Sequence, residues 1–124
     1  MRTVAPEGIQ ASTLNADQQT KLLDLIGLYL NTLNAQDAAA RIAEVRGSLA
    51  DTYFAWYGPT AAGSAAYYRV QGPGVWIEFS PQGGGGGGLG LGGDATLDHV
   101  HSIYRDPTNE YGSKWSGQQA DATR

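Results

Sequence analysis

The chain has 124 residues, with 8 basic and 12 acidic side chains, a formal net charge of −4, and no cysteine. This length allows one domain with a modest core, so residues 1–124 are treated as a single domain, and the missing cysteines exclude disulfides, thiolate metal sites and cysteine nucleophiles. The scattered charges form no basic patch for nucleic acid, and no apolar run reaches the roughly 18 residues that span a bilayer.

The first part of the chain predicts an extended lead-in and two helices. Residues 1–14 are polar and favour extended backbone. Asn15, with Gln18 three positions later, forms the pattern of a capping box at the start of a helix. Apolar residues then recur at helical spacing over 16–33, and a second amphipathic pattern covers 34 to about 50. The short connection predicts an antiparallel helical pair.

The second part changes to the alternating period of strands. An aromatic run at 52–58 ends at a Gly-Pro pair and predicts the first strand. Two β-prone runs then flank a second Gly-Pro pair and predict a hairpin with a type II′ turn, in which Val70 faces Val75. A fourth strand is predicted at about 97–105.

Side-chain alternation sorts the hairpin into two faces. The apolar face comprises Tyr68, Val70, Val75, Ile77 and Phe79. The opposite face is polar and aromatic and comprises Tyr67, Arg69, Trp76 and Glu78. The predicted fold is α+β, with two antiparallel helices packed on a four-stranded, mostly antiparallel sheet.

Two segments carry little information about the core. Residues 83–93, GGGGGGLGLGG, predict a flexible loop between the third and fourth strands. Neither a Walker lysine nor Rossmann spacing accompanies these glycines, which disfavours a phosphate site. Alternatively, their backbone packs against a neighbouring chain in an assembly. The polar tail, 113–124, is predicted to fray except near Trp115.

The two histidines of the chain, His99 and His101, alternate on the fourth predicted strand. Alternate strand residues lie about 7 Å apart at the backbone, so two imidazoles on one face are able to converge on one ion. Glu78 on the neighbouring strand is the predicted third ligand. Two histidines and a carboxylate suit a divalent transition metal such as zinc, copper or iron, with Tyr67 and Arg69 around the site.

Other interpretations of the pair stay open. Both faces of the fourth strand carry apolar residues, and with the opposite parity the histidines point toward the helices as buried polar groups. A His-x-His pair is also frequent as a polar strand face without a bound ion. No nucleophile accompanies the pair, because Ser102 points away from it. The sequence therefore assigns no reaction and no catalytic residue, and enzymatic activity stays undecided.

Two functions of other classes are also considered. In the first, the chain is a structural subunit that forms oligomers or filaments through its sheet edges and the glycine tract. In the second, Tyr67, Arg69 and Trp76 bind a small ligand or a carbohydrate. Arg69 is alternatively one half of a cross-strand ion pair with Glu78.

Four segments carry a resemblance to a known family: GIQASTLNADQQTKLLDLIGLYL, TYFAWYG, YYRVQGPGVWIEF and HVHSIYRDPTNEYG. In this order they resemble the uncharacterised family catalogued as domain of unknown function three-five-zero-zero. The resemblance covers nearly the whole chain and corresponds to the C-terminal third of the family. It implies either a longer parent, whose N-terminal region is missing here, or an unusual short form. It also implies a secreted or periplasmic setting, but no activity.

The chain departs from the family pattern in two ways. Family members reach the His-x-His through a short segment with Asn before the first His, whereas here the glycine tract precedes it and Asp98 takes that position. Members also carry an upstream His-His pair that is absent here. If that pair completes a site in the parent, this chain holds half of it.

Overall fold

Two long helices lie against one face of a five-stranded antiparallel sheet in the computed structural model, which describes residues 4–83 and 94–116. The α+β class is confirmed, but the prediction of four strands is wrong. The additional strand, Ile9–Gln10, lies inside the predicted lead-in. Two residues are too few for an alternating pattern to reveal a strand. Within the described ranges, no helix has the length and apolar character to cross a membrane.

The elements follow in chain order. They are β1 Ile9–Gln10, α1 Ala16–Leu30, α2 Ala35–Gly47, β2 Tyr53–Tyr57, β3 Tyr67–Gly72, β4 Val75–Gly83, β5 Ala95–Arg105 and α3 Ser113–Ser116. The strands are neighbours in numerical order, which makes β1 and β5 the edges of the sheet. Most of the predicted glycine loop, 84–93, and most of the predicted tail, 117–124, lie outside the described residues.

Both long helices begin at asparagine caps. Asn15 Oδ1 accepts the N–H of Gln18 at 2.9 Å, and the Asn15 N–H donates to Gln18 Oε1 at 3.0 Å, so the predicted capping box is confirmed. Asn34 Oδ1 likewise accepts the N–H of Asp37 at 2.9 Å. Because residues 31–34 form the turn into this second cap, α1 ends before its predicted end.

The core lies between the helices and the middle of the sheet. Ile26 of α1 and Val45 of α2 are fully buried against Val70, Val75 and Ile77. The last three side chains belong to the apolar face predicted for the hairpin, which is therefore confirmed. Burying a side chain of this kind stabilises the fold by about 1.5–3 kcal/mol. This packing leaves the polar face of the hairpin on the side of the sheet opposite the helices, called the outer face.

The turn of the β3–β4 hairpin differs from the prediction. Pro73 and Gly74 form the turn, and Val70 pairs with Ile77 rather than with Val75. The predicted type II′ turn is wrong, because neither glycine beside Pro73 takes positive φ and the proline ring holds its own φ near −65°, as an unprimed turn requires. The observed partner of each β3 residue lies two positions beyond the predicted one. An even shift preserves the alternation, so the two faces stay as predicted.

Candidate functional site

The two histidines lie on β5 and on the outer face of the sheet. Directly opposed residues of antiparallel strands point to the same side. His101 pairs with Ser80 and Ile103 pairs with Glu78, whereas the adjacent Tyr104 pairs with buried Ile77 and packs on the core. The parity that the sequence left open is therefore settled. The histidines share the outer face with Tyr67, Arg69, Trp76 and Glu78.

The rings of His99 and His101 are in direct contact. Their Nε2 atoms are 2.8 Å apart, and the ring centroids are 4.8 Å apart with the planes at 60°. In this hydrogen bond one ring donates its Nε2–H and the other accepts through the Nε2 lone pair, so the accepting ring carries its proton on Nδ1. Both residues are exposed. The two nitrogens are thus convergent and accessible from solvent.

A β-bulge precedes the contact between the two rings. Val100 pairs with Pro81, but the next pair along the strands is Thr96 with Gln82, so residues 97–99 have no partner on β4. Pro81 has no N–H with which to continue the ladder. Bulges re-aim side chains and are frequent beside functional sites. The bulge contains His99, and the His99 ring contacts the ring of His101, two positions further along the strand.

Glu78, the predicted third ligand, is engaged with Trp76 instead. Its Oε1 accepts the Trp76 Nε1–H at 2.7 Å. In the part of the chain that the structure describes, no group of three or more His, Cys, Asp or Glu side chains is placed to hold a metal ion. The structure therefore brings together two of the three predicted ligands, His99 and His101, without the carboxylate.

Arg69 is held by the N-terminal segment. Although it lies directly opposite Glu78 in the sheet, its Nη2 forms an ion pair with Glu7 Oε2 at 2.9 Å. The Tyr57 hydroxyl donates to the same oxygen at 2.8 Å. The ion-pair role predicted for Arg69 thus involves Glu7 of the lead-in rather than Glu78, and no local sequence pattern indicates this partner.

Residues 4–8, the N-terminal strap, cross the outer face over β2 and β3. Gln71 Nε2 donates to a backbone carbonyl of the strap at 2.8 Å. Gly8 has φ +93°, and a Cβ atom there would lie 2.1 Å from the Phe54 carbonyl oxygen, so the strap backbone rests directly on β2. Beneath it, Ala55 is only 4 % exposed. The strap therefore covers part of this half of the outer face, while Tyr57 beside it is half exposed.

Trp76 lies between two guanidinium groups. The Cζ atoms of Arg69 and Arg105 lie 5.4 and 5.7 Å from its ring centroid, within the range of cation–π contacts. Burial, together with the nearby Glu78 carboxylate, raises the pKa of Tyr67. The three residues predicted to bind a small ligand are therefore engaged with one another, with Glu78 and with the strap.

A comparison with protein families identifies the chain over most of its length. A family model described as "Protein of unknown function (DUF3500)" matches residues 1–113, a range that includes the strap, both long helices and all five strands. No curated protein and no solved structure matches the chain. The family description names no activity.

Proposed function

Given that the chain belongs to the DUF3500 family, whose description names no activity, we propose from its own residues that it binds a divalent transition metal ion through His99 and His101. The observation that carries the proposal is the 2.8 Å contact between two exposed imidazole Nε2 atoms. Neutral imidazole nitrogen is a common ligand of zinc, copper, nickel and iron. A metal ion takes the place of the shared hydrogen and forms one coordinate bond to each Nε2, and the donating ring then carries its hydrogen on Nδ1.

The spacing of the two nitrogens favours particular coordination geometries. Metal–nitrogen bonds of about 2.0–2.1 Å to atoms 2.8 Å apart enclose an angle of about 90°. This angle belongs to neighbouring positions of a square-planar or octahedral shell, as copper(II) and nickel(II) adopt. A tetrahedral zinc ion needs the nitrogens to separate to about 3.3 Å. We therefore expect copper(II) to bind more tightly than zinc, in keeping with the general affinity order of divalent metals.

The proposal keeps Glu78 outside the metal shell. Its carboxylate accepts a hydrogen bond from Trp76 and lies among residues that are already paired. If Glu78 is a ligand after all, Glu78→Gln weakens copper binding as strongly as the loss of one histidine. If it is not, the affinity of Glu78→Gln stays within about threefold of the natural chain, a change of less than about 1 kcal/mol.

The direct test is copper(II) and zinc(II) titration of the full chain by calorimetry, with elemental analysis of the dialysed protein. His99→Ala and His101→Ala remove one ligand each, and Ser102→Ala is the matched control on the opposite face of the same strand. Binding retained in Ser102→Ala and lost in both histidine variants supports the site. Unchanged metal uptake by the double histidine variant contradicts it.

No reaction is proposed for this site. Ser102 points to the helix face, where its hydroxyl donates to the Tyr29 hydroxyl at 3.2 Å, so it does not serve the histidines as a nucleophile. Binding of a small ligand by Tyr67, Arg69 and Trp76 has less support, because these side chains already contact one another or the strap.

A further inference from the structure

The proposed metal site lies at an open edge of the sheet. Strand β5 has 11 residues and ends the strand order, and no described residue pairs with its free side. It contains neither proline nor lysine, the residues that commonly protect an edge strand. The bulge at residues 97–99 interrupts the strand, whereas residues 100–105 are regularly paired with β4 and have no described partner on their other edge. This backbone is able to pair with a further strand.

Side chains along β5 form a symmetrical pattern about Val100. His99 and His101 flank it, and beyond them lie Leu97 and Ile103, which are 48 % and 46 % exposed. An order of apolar, His, His, apolar reads the same in both directions. An antiparallel copy of the same strand therefore presents each of these four side chains with a partner of its own kind.

We propose that a second copy of the chain completes the metal site, by pairing its β5 with this one about a two-fold axis near Val100. The inference rests on the proposed metal binding. In this register His99 faces His101 of the partner subunit, and Leu97 faces Ile103 of the partner subunit. An axis perpendicular to the sheet keeps both outer faces on one side, so the four imidazoles of the pair converge on one ion.

The charges and the donor set both suit this arrangement. Asp98 faces Ser102 of the partner subunit, so no like charges are directly opposed near the two-fold axis. The register ends at the bulge, because Ala95 and Thr96 are out of step with the alternation of residues 100–105. Two imidazoles alone leave half of a four-coordinate shell to water. Two imidazoles from each chain complete a square-planar or tetrahedral set of nitrogens.

The other edge of the sheet indicates a closed dimer rather than a filament. Strand β1 has two residues and continues directly from the strap at 4–8 into the turn Ala11–Thr13, which leaves little backbone for an added strand. A sheet with one available edge pairs with one other sheet, and the assembly then stops at two chains. The filament suggested by the sequence needs two such edges.

The experiment measures mass and copper content together on the full chain. Sedimentation or light scattering gives the mass as copper(II) is added, calorimetry gives the stoichiometry, and electron paramagnetic resonance counts the nitrogens bound to copper. We expect the mass of one chain without metal, twice that mass with metal, saturation at one ion per two chains, and a four-nitrogen signal.

Two matched apolar-to-serine variants separate the edge from general stability. Ile103→Ser keeps both histidines but removes an apolar contact on each side of the two-fold axis, and we expect it to weaken dimerisation at least about tenfold. Leu28→Ser alters a residue on α1 that is 64 % exposed and should dimerise like the natural chain.

Three results overturn the inference, each in a distinct way. One ion per chain with a single-chain mass and a two-nitrogen signal leaves the metal function standing and removes the partner. A doubled mass that needs no metal, and persists in His101→Ala, shows pairing that does not complete a site. Absence of copper uptake removes the proposed function itself, and this inference with it.

Discussion

The two sides of the outer face are built in opposite ways. On the β2–β3 side, the strap lies on the sheet, Glu7 pairs with Arg69 at 2.9 Å, and Ala55 is 4 % exposed. On the β5 side, the histidines and Ile103 are exposed, and no described residue pairs with the free edge of the strand. The two sides of the outer face therefore differ in how accessible their polar side chains are. Arg69 and its neighbours are paired within the chain, whereas the histidines contact each other and are exposed to solvent.

The largest expected effect comes from a substitution that displaces the strap. Gly8→Ala places a Cβ 2.1 Å from the Phe54 carbonyl oxygen at φ +93°, so the strap must move. We expect a loss of about 2–3 kcal/mol in the free energy of unfolding, measured by urea denaturation. Gly27→Ala is the control, because nothing lies within 4 Å of its Cβ, and alanine in a helix stabilises by about 0.5–1 kcal/mol. Equal free energies of unfolding for the two variants would contradict a stabilising role of the strap.

A smaller effect is expected where the end of β5 is anchored to the helices. Asp106 Oδ1 accepts the N–H and hydroxyl of Thr108 at 2.9 and 2.7 Å and lies 3.1 Å from Arg41 Nη2. Burial raises the pKa of Asp106, but the Thr108 hydrogen bonds and the Arg41 charge outweigh burial and hold that pKa below its ordinary value.

The sign of the pH dependence follows from the lowered pKa. The ionised carboxylate stabilises the fold above the unfolded pKa of about 3.9, and this stabilisation is lost as the pH falls through the lower folded value. Asp106→Asn should therefore cost about 1 kcal/mol at neutral pH and progressively less below about pH 4. Denaturation curves at pH 7 and pH 3 measure this, and a deficit that grows toward pH 3 refutes the assignment.

A weaker effect is expected from the ion pair of the strap. Glu7→Gln removes the charge that meets Arg69, at a cost of less than about 1 kcal/mol, because the Glu7 carboxylate is largely exposed. The hydrogen bond to Glu7 raises the pKa of Tyr57, so the same change should lower that pKa toward its ordinary value. Ultraviolet titration of the tyrosines detects the shift, with Glu44→Gln as the control.

The smallest effect is expected on the open side. His99→Ala and His101→Ala should change the free energy of unfolding without metal by no more than about 0.5 kcal/mol, because both side chains are exposed and contact each other. A loss above about 1 kcal/mol from either substitution would mean that the histidines are structural, and the contrast between the two sides would disappear.

Local patterns explain what the sequence predicted correctly. The capping box joins Asn15 and Gln18, which are three positions apart, so its sequence pattern is entirely local. The two hairpin faces were also predicted correctly despite a wrong turn, because moving Val70 from Val75 to Ile77 preserves alternation.

Tertiary contacts explain what the sequence did not predict. Glu7 contacts Arg69, which lies 62 positions further along the chain. The sequence gives one weak indication of this contact, the glycine Gly8 within a polar segment. The face occupied by the histidines depends on Tyr104, which packs beside Tyr29 of α1 with ring centroids 6.4 Å apart. Alternation along β5 alone was compatible with either face.

The bulge in β5 has a consequence for how the chain tolerates changes in length. The face of His101 is set from the downstream side, by the pairing of residues 101–105 with β4, and the bulge separates this register from the pairs at Thr96 and Ala95. Insertions or deletions among residues 84–93, which lie between β4 and β5 in the sequence, should therefore leave the histidines on the same face. Related chains are thus free to vary this connection while keeping the pair in place.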